Sequence, residues 1–257
     1  TPYTLGVSCG GAFGAVAGIF LPSLLPWLAF QWGPFNQVQS LAFGGSLLAV
    51  VLIYLLARTG GRVSTMELLL AGVTMGMIFG ALILAIRYFT NPQMLVDMDR
   101  WMMGRLDVGG WWTVFSVLPF LVPGMAVLML LARGLDQISF CEELDHGRGV
   151  NVQRLQKLVF FGGSLATASV VAVAGPIGFV GLIVPHTVRR MIGPDHRLLL
   201  PSSLFAGGGF LVICDTFART IIAPTELPVG IITSLMGGPF FIYLLLRSRQ
   251  RRGGFGN

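Results

Sequence analysis

The sequence predicts an all-α, polytopic membrane protein, and three observations carry that prediction. The residues are 54% hydrophobic and only 11% charged, with a mean hydropathy of +0.78, whereas soluble domains carry about 25% charged residues. From Leu158 to Val188 there is no Asp, Glu, Lys or Arg. As one helix that run would be roughly 45 Å long, well beyond a hydrocarbon core of roughly 30 Å. Gly175-Pro176 falls inside it, so the chain must break and turn back within or near the bilayer.

Eight apolar segments follow in order, at 4–21, 39–57, 66–88, 114–132, 155–174, 181–190, 198–218 and 228–246. The first and second carry Gly10-Gly11 and Gly44-Gly45, and later ones Gly162-Gly163 and Gly207-Gly208-Gly209. Such small residues let helices approach closely in lipid, so packing is their expected role. The third begins at Ser64-Thr65-Met66, where Ser64 and Glu67 have the spacing of a capping box. Trp111-Trp112 and Arg133 bracket the fourth as interface anchors. The fifth ends at the Gly175-Pro176 break, and the sixth is a short return helix. The seventh holds Asp215 and Arg219, four residues apart and able to pair on one helix face.

Charge sets the orientation. Alternating the segments from an inner N-terminus puts Arg87, Arg100, Arg105 and Arg219 on one side and the other 13 of the 17 basic residues on the opposite side. The richer side is cytoplasmic by the positive-inside rule, and the C-terminus lies there. The net charge of +6 is therefore a topology signal, and nucleic-acid binding is not expected.

Two loops are long enough to fold. In the outer one, Asn91-Pro92 starts a short helix through Met102, with Met94, Met98 and Trp101 on one packing face. In the inner one, 134–157, Ser139 is placed to cap a helix through His146, and Asn151 to cap the next.

The sequence also excludes chemistry. Its one lysine, Lys157, sits between Gln156 and Leu158, so no ATP-binding P-loop exists here. His146, His186 and His196 lack helical metal-site spacing, and Cys9, Cys141 and Cys214 stand alone. No catalytic residue, metal site or cofactor is expected.

Five motifs in order carry a family resemblance: LGVSCGGAFGA from Leu5, STMELLLAGVTMG from Ser64, RWMMGRLD from Arg100, AGPIGFVGLIVPHTVRRMIGPDHRLLLP from Ala174, and ELPVGIITSLMGGPFFIYLLLR from Glu226. The chain resembles the FecCD/BtuC-like permease subunits of ATP-binding-cassette importers for iron-siderophores, haem and vitamin B12. The resemblance implies a type II importer bundle with about eight of the family's ten spans, the first two absent, as one domain over 1–257. It implies a multi-pass homodimer in the bacterial inner membrane that moves a metal chelate. Its partners would be cytoplasmic ATPase subunits and a periplasmic or lipoprotein substrate-binding protein, with lipid around it. It further implies that the 134–157 loop couples to the ATPase through Glu142, Glu143, Asp145, His146, Gly147, Arg148, Gly149 and Asn151. Arg219 would dock the binding protein, and Thr65 and Met66 would form part of a cytoplasmic gate. The rival reading is an ion-coupled secondary transporter of a small solute, for which Asp215 is the sole candidate acid and is expected to pair with Arg219.

Overall fold

The computed structural model describes residues 6–25, 31–32, 35–59, 62–106, 110–140, 152–222 and 224–253. Among these the chain forms nine helices: α1 (Val7–Leu24), α2 (Gln37–Leu56), α3 (Thr65–Tyr88), α4 (Pro92–Met102), α5 (Trp111–Phe140), α6 (Val152–Ala174), α7 (Val180–Ile192), α8 (His196–Thr220) and α9 (Val229–Gly253). Each predicted segment is present as a helix, with shifted ends. Two short antiparallel hairpins were not expected. Strands β1 (Gln31–Trp32) and β2 (Phe35–Asn36) pair before α2, and β3 (Arg58–Thr59) and β4 (Arg62–Val63) pair before α3.

The expected polytopic bundle is present, and six candidate spans can be assigned among the described residues. Six described helices are long and apolar enough to cross a membrane: α1, α2, α3, α5, α6 and α8. α7 has 13 residues, about 20 Å at 1.5 Å per residue, too short to cross. α9 runs apolar in sequence from Val229 through Leu246, before the basic run that opens at Arg247.

The chain divides into two compact units. The first comprises 1–102 and 107–176, the second 103–106 and 177–257.

In the first unit α1 and α6 are the central helices, each half buried over its apolar window. The packing of α1 on α2 follows from residue size. Gly10, Gly14 and Gly18 recur every four residues along α1 and so share one face. A Cβ on Gly18 would stand 2.9 Å from the Val38 Cα, and one on Gly14 would run into the Leu41 carbonyl oxygen. Gly45 meets Gly10 in the same way from α2. The same device joins α5 to α6, where a Cβ on Gly124 would lie 2.7 Å from the Gly162 oxygen. Packing thus explains Gly10, Gly11, Gly45 and Gly162. It does not explain Gly44, Gly208 and Gly209, where an added Cβ would meet nothing within 4 Å among the described residues.

Around this seam lie Val7, Ala49, Val50, Ile53, Met75 and Phe79, all buried, with Phe13 stacked on Phe79 at 5.4 Å. α4 spans Pro92 to Met102 as the Asn91-Pro92 start predicts. Its Met98 is fully buried against Ala12, Val16 and Ile83, so the methionine face packs the helix down.

α6 ends at Ala174. The Gly175 N–H donates to the Val171 carbonyl at 2.9 Å, and Gly175 adopts φ +69°, the left-handed stop that glycine takes at least cost. Pro176 then prevents continuation.

In the second unit Cys214, Ala218 and Val229 form one buried cluster and Val184, Val188 and Leu199 another. Asp195 caps α8, its Oδ1 accepting from the Arg197 N–H at 2.9 Å. Phe179, just before α7, has φ +66°. This conformation is costly for a side chain of its size. Its ring lies over Gly237 of α9, in space that any Cβ there would fill.

Candidate functional site

Arg219 is the centre of a polar cluster at the end of α8. Its Nε donates to Asp215 Oδ2 at 2.8 Å, the i,i+4 pair the sequence predicts. The structure adds two contacts. Nη2 donates to the Leu106 carbonyl oxygen at 3.1 Å, and Nη1 to Glu226 Oε1 at 3.4 Å. The turn after α8 places Glu226 there, because the Leu227 N–H donates back to the Ala218 carbonyl at 3.1 Å. One planar guanidinium therefore meets two carboxylates and a backbone oxygen, the fork geometry that arginine supplies and lysine does not. Neither Glu226 nor Leu106 was legible as a partner, since seven residues and a turn separate one from Arg219 and 113 residues separate the other.

At the start of α3, the Ser64–Glu67 capping box is formed. The Ser64 hydroxyl accepts from the Met66 N–H at 3.3 Å, and Glu67 Oε2 accepts from the Ser64 N–H at 3.3 Å. Thr65 is the first helical residue, and Met66 is 74% exposed. The box fixes the start of α3, and Met66 in its first turn stands largely exposed.

Part of the 134–157 segment, expected as a loop, is helical. α5 continues through Phe140 and α6 begins at Val152. Residues 134–140 and 152–157 are thus helical, and Ser139 lies inside α5 rather than starting a new helix. Glu142, Glu143, Asp145, His146, Gly147, Arg148, Gly149 and Asn151 lie outside the described residues.

Two further features belong to the first unit. Arg87, in the last turn of α3, pairs with Asp99 of α4, tying the short helix down beside its methionine face. A cavity of about 580 Å³ is lined by Asn36, Gln39, Met94, Asp97, Trp101 and Thr113, among others. Asp97 is the one charged residue among the described residues of its lining. No group of three or more His, Cys, Asp or Glu that could hold a metal occurs among the described residues.

These features define an all-helical, multi-pass membrane protein with a charged cluster at one helix end. Residues 1–247 match the FecCD transport family. The chain belongs to that family as a permease subunit of the ATP-binding-cassette kind, and it is not itself the ATPase. It is 44% identical to the cobalamin import system permease of Halobacterium salinarum, across 98% of this chain and 64% of that protein. It is 38% identical to the hemin transport system permease of Yersinia pestis, across 98% and 74%. Its backbone resembles a solved metal-chelate type ABC transporter in an inward-facing conformation, with a TM-score of 0.82 at 27% identity, covering 96% of this chain and 76% of that one. The chain thus spans about two thirds to three quarters of the length of these relatives.

Proposed function

We propose that this permease moves a metal chelate of the iron-siderophore, haem or cobalamin kind across the bacterial inner membrane, as one half of a homodimer. The observation that carries the reading is the family match along residues 1–247. The relatives named for cobalamin and hemin import support the substrate class. In this reading a substrate-binding protein docks outside near Arg219, and ATPase subunits bind inside at 141–151. The gate includes Thr65 and Met66. The ion-coupled alternative needs an intramembrane acid free to titrate, and Asp215 is instead bonded to Arg219 at 2.8 Å.

Uptake by cells expressing the importer tests the substrate class. A panel of labelled ferric siderophore, haem, cobalamin and molybdate is expected to show accumulation of one chelate, dependent on the ATPase. Accumulation of molybdate alone, or uptake that follows a proton gradient without ATPase, would refute it.

Orientation has its own test. In a background lacking the natural cysteines, Asn91→Cys is expected to react with an impermeant thiol reagent in intact cells, and Ser139→Cys only after lysis. The opposite pattern would invert the charge-based topology.

A further inference from the structure

We infer that Glu226 is a stand-in carboxylate: it occupies the place on Arg219 that a carboxylate of the docking protein takes, and it must leave for docking to occur. The inference rests on the docking role proposed for Arg219 and adds how that site is kept closed when empty.

The contacts on Arg219 are unequal. Nε is held by Asp215 at 2.8 Å, within the range of a charge-assisted bond, and Nη2 by the Leu106 carbonyl at 3.1 Å. These two fix the plane of the guanidinium. The Glu226 contact is the longest, at 3.4 Å. Glu226 is also the most exposed of the three side chains, at 51% against 39% for Arg219 and 25% for Asp215. It lies in the irregular stretch between α8 and α9, whereas Asp215 sits inside α8.

A carboxylate approaching from solvent therefore reaches Nη1 by displacing Glu226, while Asp215 and Leu106 hold the donor fork in place. Until then Asp215, Glu226 and Arg219 carry one more negative charge than positive, which repels an acidic surface. The partner that fits is a protein face presenting a carboxylate. Selectivity against a neutral face follows as well, because such a face gains nothing that offsets the loss of Glu226.

The test uses the permease with its ATPase in lipid nanodiscs, titrated at low ionic strength with its cognate substrate-binding protein. Glu226→Gln is expected to tighten docking roughly two- to fivefold, the scale of one exposed ion pair. The gain should shrink as salt is raised. Arg219→Gln is expected to weaken docking. In parallel, phenylglyoxal modification of Arg219, followed by mass spectrometry, is expected to run faster in Glu226→Gln. If Arg219→Gln leaves docking unchanged, the docking role of Arg219 fails, and the inference with it. If Arg219→Gln weakens docking but Glu226→Gln leaves it unchanged or weaker, the docking role stands and the stand-in role is wrong. Glu226→Asp guards against misfolding: it keeps the charge but shortens the reach, and an intermediate gain is expected. No gain in Glu226→Asp, should Glu226→Gln fail to fold, also overturns the inference.

Discussion

Replacing Gly14 with alanine is expected to be among the most damaging single-methyl changes in this protein. The new Cβ would run into the Leu41 carbonyl oxygen, with the Leu41 carbon and the Ala42 Cα (at 3.0 Å) close behind. All are backbone atoms, so no rotamer change relieves the clash and α1 must move away from α2. Overpacking of this kind costs about 1–3 kcal/mol or more. Here the separation also loosens the seam between Gly10 and Gly45. Gly44→Ala is the control, since it lies on α2 one residue away and its Cβ would meet nothing within 4 Å among the described residues. Thermal unfolding in detergent should show a large drop in Tm for Gly14→Ala and little change for Gly44→Ala. Equal effects from the two would refute the close-packed seam.

The second large effect is expected at Gly237. A Cβ there falls on the ring and Cβ of Phe179, and Phe179 cannot retreat easily because its backbone already sits at φ +66°. Gly237→Ala should therefore destabilise strongly. Phe179→Gly alone removes packing but relieves the left-handed strain, so its net cost should be modest. The double variant should recover much of the stability lost in Gly237→Ala, a coupling of about 1 kcal/mol or more between touching residues. Strict additivity in the melting curves would show that the two do not press on one another.

Local signals in the sequence were read correctly where the physics is local. Asp215 and Arg219 were paired because helical spacing brings i and i+4 together. Ser64 and Glu67 were matched as a cap for the same reason, and Pro92 marked the first turn of α4. The extension of α5 through Phe140 was missed because Gly134 to Phe140 is too polar to continue an apolar run, although nothing in it except Gly134 breaks a helix. The β3–β4 hairpin has a signal in the sequence, Gly60-Gly61 between its two strands. The remaining partners of Arg219 are different in kind. Leu106 offers only a backbone carbonyl, which every residue has, so no side-chain pattern could mark it. The distinction between Gly14 and Gly44 was equally hidden, because it depends on which helix face meets a neighbour.

α5 has a consequence for the lipid. Its most apolar window is only 11% buried, and Trp111 and Trp112 at one end are 77% and 73% exposed. From Trp112 to Arg133 the helix rises about 30 Å, the thickness of a bilayer's hydrocarbon core. The aromatic pair and the arginine thus act as two floats at fixed separation, and the depth of the first unit is set by where they settle. A thinner bilayer would be met by tilt of α5 or by local thickening of the acyl layer, each costing fractions of a kcal/mol per ångström. Acyl-chain length in a reconstituted membrane is therefore a direct mechanical input to this helix, applied from outside the protein and without any ligand.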